Sequence, residues 1–292
     1  MDKFELLRYC HFFSKKRLYG KSQHCQETIK KTWLCQTQSA KKKSTGEHVN
    51  RNAQFERIAQ LKASYQAADN PVISVDTKKK ELIGNLFREG RIYTTETVEV
   101  FDHDFPSLAE GVAIPHAIYD IALNEGYINI GTSRDTSEFA CDSIRHWWNS
   151  YGKAYYPDAD SILMLMDGGG SNSSRHYIFK QDLQALVDDI GVEIRIAHFP
   201  PHTSKWNPIE HRLFPHVTRS LQGMVLTTHE LAKELIGTTT TKAGLKVFTS
   251  IINRVYKTGR KVAKGFKESM RILFDDKLAQ WNYVANPNTD NI

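Results

Sequence analysis

The segment from Ser161 to Asp167, with the sequence SILMLMD, is a continuous apolar run that ends in a carboxylate. A run of this length and composition is typical of a β-strand that is covered on both faces. A second run, from Val72 to Val75, is rich in β-branched residues and is followed by Asp76. The sequence therefore predicts two buried strands, each with an acid at its end.

The residues between these two strands predict a hairpin and a helix. Strand candidates at 117–123 and 127–131 flank Asn124-Glu125-Gly126, which is a hairpin signal. A helix is predicted from Asp135, and we expect its apolar face to pack in the core rather than to stack on DNA bases. The residues of that face are Ala140, Ile144, Trp147, Trp148 and Tyr151.

A second helix and a further strand are predicted after Asp167. The helix ends at Gly191, and an alternating strand follows at 192–197. The apolar positions of this helix are Phe179, Leu183, Leu186, Val187 and Ile190. Upstream, residues 52–69 show a helix-like pattern that we expect to pack beside the first strand.

The order is three strands, helix, strand, helix, strand, helix. This is the order of the ribonuclease H-like fold, an α/β class with a mixed sheet, whose acids lie on the first strand, the fourth strand and the last helix. Glu210 is the third acid here. Asn207 is a natural N-cap and Pro208 suits the first helical position, so Glu210 is predicted to lie in the opening turn of a helix.

Each acid also has a simpler interpretation. Asp76 could begin a turn, and Asp167 could be a turn residue or the lip of a phosphate-binding loop before the glycines at 168–170. Asn207 and Glu210 have the spacing of a capping box, in which the glutamate bonds back to the N-cap amide. The order strand, strand, helix favours one shared site over three separate structural roles.

A cluster of three carboxylates constrains the chemistry that it can perform. Carboxylates that are held close together repel, and so they need either protons or cations. Mg²⁺ and Mn²⁺ prefer oxygen ligands, and two such ions can activate an attacking oxygen and stabilise a leaving one. The cluster therefore predicts metal-dependent phosphoryl transfer.

Three motifs carry a resemblance to a known family: 72–82 (VISVDTKKKEL), 167–172 (DGGGSN) and 198–214 (HFPPHTSKWNPIEHRLF). They resemble the Rhodopirellula-type DDE transposases of bacterial insertion sequences. The resemblance runs from about Asn50 to Tyr283. The length of the third motif makes it specific.

This resemblance implies a transposase catalytic domain that uses two Mg²⁺ or Mn²⁺ ions. Asp76 and Asp167 would hold the ions, and Glu210 would complete the set. Water would attack the phosphodiester at the end of the element, and the freed 3′-hydroxyl would then attack target DNA. The expected partners are DNA, as element ends and as target, and further copies of the chain, because two ends are joined.

Several polar residues in these motifs are candidate DNA contacts. Asn172, His202 and Lys205 could contact the metal site or a phosphate, or instead satisfy turn backbone and solvent. The run of Lys78, Lys79 and Lys80 follows the first acid and could hold the phosphate backbone, although a charge run is commonly a solvated face.

Charge is unevenly distributed along the chain. Residues 1–51 contain 12 Lys or Arg and 4 Asp or Glu, a net of +8, whereas the whole chain carries +6. We therefore expect three regions: a basic arm or remnant of a DNA-recognition region at 1–50, the catalytic domain at 51–225, and a small, helical C-terminal extension at 226–292. A basic arm can bind phosphates without sequence preference.

Two departures from the family pattern lead to further expectations. Members generally carry an upstream helix-turn-helix region, of which little is recognisable here, so the sequence suggests an N-terminally truncated copy. Pro215 lies where the helix of Glu210 should continue, and proline in a helix interior costs about 3 kcal/mol. We expect that helix to kink or stop at Phe214.

Two other functions remain open at this point. A ribonuclease H-like nuclease would use the same acids without strand joining, and a catalytically dead, DNA-binding remnant would use none of them. A nucleotide-binding protein built on 168–170 is weaker, because the loop lacks a Gly-Lys-Ser/Thr ending. The sequence has no membrane-spanning stretch and no secretory h-region, so a cytoplasmic, nucleoid-associated location is expected.

Overall fold

The computed structural model describes residues 48–169 and 176–288. Residues 1–47 of the basic arm that was predicted at 1–50 therefore lie outside the described residues. Within the described residues, one sheet of nine strands forms the centre of the molecule. The strands are β1 (Val72–Thr77), β2 (Glu81–Ile83), β3 (Gly111–Asp120), β4 (Glu125–Gly131), β5 (Ser161–Asp167), β6 (Glu193–Phe199), β7 (Lys246–Ile252), β8 (Ile272–Phe274) and β9 (Asn282–Ala285).

The helices are distributed over both faces of this sheet. They are α1 (Arg51–Ala67), α2 (Ser137–Trp147), α3 (Tyr177–Ile190), α4 (Pro208–Arg212), α5 (Phe214–Ser220), α6 (His229–Gly237) and α7 (Phe266–Ser269). The α2 helix continues into a π-helical turn, Trp148–Gly152, and a final turn, Lys153–Tyr155. Short 3₁₀ segments lie at Pro106–Leu108 and Ser204–Trp206.

The sheet has the order β7-β4-β3-β1-β5-β6-β9-β8, and β2 pairs with β3. The β3 strand is antiparallel to both β1 and β4, whereas β5 runs parallel to β1 and β6 runs parallel to β5. The central five strands therefore have the mixed pairing of the ribonuclease H-like fold. The predicted fold class is confirmed.

Alternation along the strands explains why two helical layers are needed. Ile73, Val75, Met164 and Met166 join the apolar side chains of α2 and α3 in one cluster. Leu163 and Leu165 point to the other face, where they pack with α1. Trp147 and Trp148 are 1% and 3% exposed, which confirms that they belong to the core.

The hairpin between β3 and β4 forms, but it turns earlier than the sequence predicted. The first strand ends at Asp120 rather than at residue 123. Oδ1 of Asp120 accepts hydrogen bonds from the N–H groups of Ala122 and Leu123, at 2.9 and 3.0 Å. Asn124 completes the turn with φ of +54°. The side chain of Asp120 thus offers the backbone a turn in place of a longer strand.

The C-terminal part of the chain differs from the helical extension that the sequence predicted. It contains α6 and the short α7, but also three strands. The β7 strand runs parallel to β4, and β9 pairs antiparallel with β6. The free edges of β4 and β6 supply the hydrogen-bond partners for these strands, and the β-branched residues of 247–252 suit a pleated surface.

The helix of Glu210 breaks near Pro215, as expected. The α4 helix ends at Arg212, and α5 begins at Phe214 with Pro215 in its first turn. Leu213 lies between them with φ of −121° and ψ of −59°, outside helical values. Proline has no N–H to continue the α4 hydrogen-bond ladder, so α4 is limited to five residues.

Gly126 provides the space that this break requires. A Cβ atom on Gly126 would lie 2.6 Å from Cδ1 of Leu213. We expect Gly126→Ala to lower the free energy of unfolding by about 1–2 kcal/mol, because the Leu213 side chain is fully buried and must shift. Urea denaturation measures the change.

The control for this prediction is Gly169→Ala, because among the described residues no heavy atom other than those of its own chain neighbours lies within 4 Å of a Cβ atom at Gly169. Its free energy of unfolding should stay within about 0.5 kcal/mol of the unsubstituted protein. An equal loss in both variants would contradict the role given to Gly126.

Candidate active site

Asp76 and Asp167 lie side by side at the ends of two adjacent parallel strands. Val75 on β1 is paired with Met166 on β5, and each acid is the next residue along its strand. Neighbouring strands lie about 4.8 Å apart, which sets the separation of the two backbones. Both side chains are half-buried. The structure therefore brings together the first two acids that the sequence selected.

Glu210 reaches the same place from the opening turn of α4. Oγ of Ser74, on β1, accepts a hydrogen bond from the N–H of Ile209 at 3.1 Å, which fixes the start of α4 against the strand that carries Asp76. The capping-box interpretation does not hold, because the N–H of Asn207 donates to the carbonyl of Ser204 at 2.8 Å. The Glu210 carboxylate is thus free of that structural role.

The electrostatics show that the three acids act on one another. Burial raises the pKa of the Asp76 carboxyl to about 7, and Asp167 and Glu210 add to the rise. The N–H of Thr77 donates to Oδ1 of Asp76 at 2.7 Å, and this hydrogen bond partly offsets the rise in the pKa of Asp76. Burial likewise raises the pKa of Asp167 to about 6, with Glu210 adding to the rise and Asn207 opposing it. Such coupled acids require protons or cations.

The donor chemistry of this cluster fits a hard divalent cation. All three side chains offer carboxylate oxygens, and Oδ1 of Asp167 is buried without a hydrogen-bond partner. Among the described residues, however, no group of three or more His, Cys, Asp or Glu side chains is arranged to hold a metal ion. The side chains of Asp76, Asp167 and Glu210 would therefore have to move closer together to hold an ion.

His198 supports the backbone of Asp167, a role that the sequence did not predict. Nδ1 of His198 lies 3.0 Å from the carbonyl oxygen of Asp167, and Nε2 lies 2.9 Å from the Tyr283 hydroxyl. Burial lowers the pKa of this imidazole to about 4, so it is neutral at pH 7. The signal available in the sequence was a single histidine inside the apolar β6 strand.

A cavity of about 590 Å³ opens beside Glu210. Its wall includes the lysine run, the exposed ring of Phe87, and Phe214 at the start of α5. Lys79 and Lys80 are exposed, whereas Lys78 is 8% exposed and forms an ion pair with Glu81. The structure therefore presents two of the three lysines to the solvent next to the acids.

The remaining predicted contacts are placed as follows. Asn172 lies outside the described residues. His202 is exposed, with φ of +63° in the turn after β6. Lys205 is exposed, and its Nζ lies 5.7 Å from the centre of the Trp206 ring. Their predicted roles toward DNA stay predictions.

The strand order and the acids at the strand ends define a ribonuclease H-like domain with a carboxylate site. The chain belongs to the Rhodopirellula transposase DDE domain family, whose sequence model matches residues 21–287. The match begins within the basic arm, earlier than the resemblance near Asn50 that the motifs carried. Membership of this family implies phosphoryl transfer as the class of chemistry.

Solved structures that are similar to this chain include paired-end complexes of the Mos1 transposase. A Mos1 mariner paired-end complex with Mn shows 12% identity and a TM-score of 0.46, over 80% of this chain and 69% of the other. A Mos1 paired-end complex with the left transposon end shows 12% identity and a TM-score of 0.45, over 75% of this chain and 62% of the other. At these identities the likeness concerns the fold alone.

A viral nuclease is also among the similar structures. The human cytomegalovirus terminase nuclease domain, soaked with Mn and bound to an inhibitor, shows 9% identity and a TM-score of 0.25, over 74% of this chain and 84% of the other. No curated protein matches the sequence significantly. In the part of the chain that the structure describes, no helix is both long and apolar enough to cross a membrane.

Proposed function

We propose that this chain is a DNA transposase that hydrolyses the phosphodiester at the ends of its element and joins the freed 3′-hydroxyl to target DNA. Asp76, Asp167 and Glu210 are its catalytic and metal-binding residues, with two Mg²⁺ or Mn²⁺ ions as cofactors. The observation that supports this proposal is the mutual effect of the three carboxylates at one edge of the sheet, in a chain of the DDE family.

The reaction that we propose has two steps of the same kind. In the first, the oxygen of water forms a bond to phosphorus, the bond between phosphorus and the 3′-oxygen breaks, and that oxygen takes a proton. In the second, the oxygen of the freed 3′-hydroxyl forms a bond to a phosphorus of target DNA, the bond between that phosphorus and its 3′-oxygen breaks, and the leaving oxygen takes a proton. The metal ions, when bound, activate the attacking oxygen and stabilise the leaving one.

The residues of the chain have separate tasks in this reaction. Asp76 and Asp167 provide fixed oxygen ligands from rigid strand ends, and Glu210 approaches them from α4. Because the pKa of the Asp76 carboxyl is raised to about 7, the cluster must release a proton before it can bind cations near neutral pH. Cofactor binding should therefore become tighter as the pH rises through 7.

The test is a strand-joining assay. Purified protein is incubated with a labelled duplex that carries the element end, a target plasmid, and Mg²⁺ or Mn²⁺. Nicked and joined products together support the transposase. Nicking without joining would instead indicate a nuclease, and DNA binding without any metal-dependent product would indicate a non-catalytic DNA-binding protein.

Lys79 and Lys80 are proposed to hold the phosphate backbone beside the acids. We expect Lys79→Ala with Lys80→Ala to weaken DNA binding by about tenfold at 100 mM salt, and to lower the slope of log K against log[salt] by about 1–2. Fluorescence anisotropy at several salt concentrations measures both quantities.

The control for the lysine pair is Lys153→Ala. Lys153 is also exposed, but it lies before the start of β5, whereas Asp167 lies at the other end of that strand. This variant should retain the salt slope of the unsubstituted protein. A slope change per lysine in Lys153→Ala as large as in the double variant would indicate a diffuse charge effect instead of binding at the cavity.

A further inference from the structure

Ser74 is the polar residue within the apolar run from Val72 to Val75 in β1. It is fully buried and lies two residues before Asp76, so both side chains point to the same face of the sheet. Its Oγ donates a hydrogen bond to Oδ1 of Asn207 at 2.5 Å and accepts one from the N–H of Ile209 at 3.1 Å. One hydroxyl therefore links β1 to two residues at the start of α4, just before Glu210.

Asn207 is the second part of this link. It is fully buried, and its Oδ1 accepts the hydrogen bond from Ser74. Among the described residues, the Nδ2 of Asn207 and the Oδ1 of Asp167 are both buried and have no hydrogen-bond partner.

The α4 helix is short. It contains five residues, and Leu213 interrupts the helix directly after it. Asn207 makes no side-chain cap to its own helix, so the first-turn amide of Ile209 depends on Ser74. The buried side chains of Ile209 and Leu213 hold α4 by packing, and the hydrogen bonds of Ser74 hold its first turn, which carries Glu210.

We propose that Ser74 and Asn207 form one positioning unit that holds Glu210 against β1, the strand that carries Asp76, so that the two carboxylates can share a divalent cation. The inference rests on the proposed function, because the cation is part of it. Both are positioning residues, since they act through the carboxylates. A displacement of about 1 Å at a reacting centre can cost on the order of a hundredfold in rate, so small losses here should be measurable.

The first test measures how thermal stability and cleavage rate depend on the Mn²⁺ concentration. We expect Ser74→Ala and Asn207→Ala each to raise the Mn²⁺ concentration for half-maximal thermal stabilisation about tenfold, and to slow cleavage at saturating Mn²⁺ by about 10–100-fold. Ser74→Cys keeps the shape of the side chain with a larger atom at its end and weakens both hydrogen bonds, so it should show an intermediate effect and serves where Ser74→Ala does not fold.

A matched control separates positioning from general loss of a buried hydroxyl. Ser161 is also a buried serine in a central strand, with Tyr65 at 2.6 Å and Glu193 at 2.8 Å, but it lies at the opposite end of β5 from Asp167. Ser161→Ala should lose stability without a change in the Mn²⁺ midpoint. Equal Mn²⁺ midpoints in Ser74→Ala and Ser161→Ala would overturn the proposal.

A double variant tests whether the two residues form one unit. If they do, Ser74→Ala with Asn207→Ala should shift the Mn²⁺ midpoint by no more than about threefold beyond either single variant. Midpoint shifts that multiply, as for independent sites, would overturn the single unit.

Hydrogen exchange distinguishes failure of this inference from failure of the proposed function. Ser74→Ala should accelerate exchange of the amides of residues 209–212, and Ser161→Ala should leave them protected. If the unsubstituted protein showed neither Mn²⁺ stabilisation nor cleavage, the proposed function would fail, and faster exchange would still support positioning of Glu210 by Ser74. Unchanged exchange in Ser74→Ala would overturn that positioning in either case.

Discussion

Asp167→Asn should abolish metal-dependent cleavage and joining while leaving DNA binding in place. The substitution keeps the size of the side chain and removes the charge that a cation would bind. Because a cation contributes several kcal/mol of charge stabilisation in the transition state, we expect a rate loss on the order of 10³-fold or more. Product formation on the labelled duplex measures the rate, and anisotropy measures binding.

The same chemical change at the opposite end of β5 provides the control. Asp160 precedes the strand, and its Oδ1 accepts a hydrogen bond from Asn70 at 2.7 Å. Asp160→Asn should retain full activity. If Asp167→Asn retained cleavage, Asp167 would not be a metal ligand, and the alignment of the three acids would be structural. If Asp167→Asn lost cleavage and DNA binding together, the assay would report misfolding, which circular dichroism can check.

Much of this site could be predicted because its information is local in the chain. Each of Asp76 and Asp167 ends its own apolar strand, and Glu210 follows a helix-start signal by three residues. The pairing of β1 with β5 then follows from the ribonuclease H-like order. The family motifs contain the same residues, so the pattern and the resemblance select one set of acids.

What the sequence did not reveal depends on partners that are distant along the chain. Ser74 is separated from Asn207 by 133 positions, and a lone serine in a strand does not indicate which helix it will meet. His198 bonds the carbonyl of Asp167 and the hydroxyl of Tyr283, 85 positions away. The strand β7 pairs with the outer edge of β4, and no local sequence pattern shows that this edge lacks another partner. Tertiary context decides each of these cases.

Asp76→Asn should stabilise the protein in metal-free buffer at pH 8. The pKa of Asp76 rises from 3.8 to about 7 on folding, so at pH 8 the folded state carries a charge that burial and its neighbours disfavour. A shift of three pKa units corresponds to at most about 4 kcal/mol, and we expect a gain of about 2 kcal/mol or more in the free energy of unfolding. Urea denaturation in EDTA measures the gain.

The sign of the pH dependence follows from proton binding. Between about pH 4 and pH 7 the folded state holds a proton on Asp76 that the unfolded chain has released, so the stability of the unsubstituted protein falls as the pH rises through this range. The advantage of Asp76→Asn should therefore be largest at pH 8 and vanish near pH 4. Asp167, whose pKa rises to about 6, contributes in the same direction.

Asp275 gives a control of the opposite sign. Burial alone would raise its pKa, but hydrogen bonds from Arg57 at 2.6 Å and Arg195 at 2.7 Å outweigh that effect and lower it. Asp275→Asn should therefore destabilise the protein at pH 8, and this loss should shrink as the pH falls below about 4. If Asp76→Asn and Asp275→Asn changed the free energy of unfolding at pH 8 in the same direction, the electrostatic explanation would be contradicted.

In EDTA, Asp76→Asn should be more stable than the unsubstituted protein, and metal ions should reverse this order. A cation that binds only the folded state adds about 2.7 kcal/mol at a concentration one hundred times its dissociation constant. The unsubstituted protein should gain this stability from Mg²⁺ or Mn²⁺ at pH 8, whereas Asp76→Asn should gain little, because one ligand is missing. If both proteins responded equally, the ions would bind elsewhere, and the repulsion among Asp76, Asp167 and Glu210 would have no role in holding a cofactor.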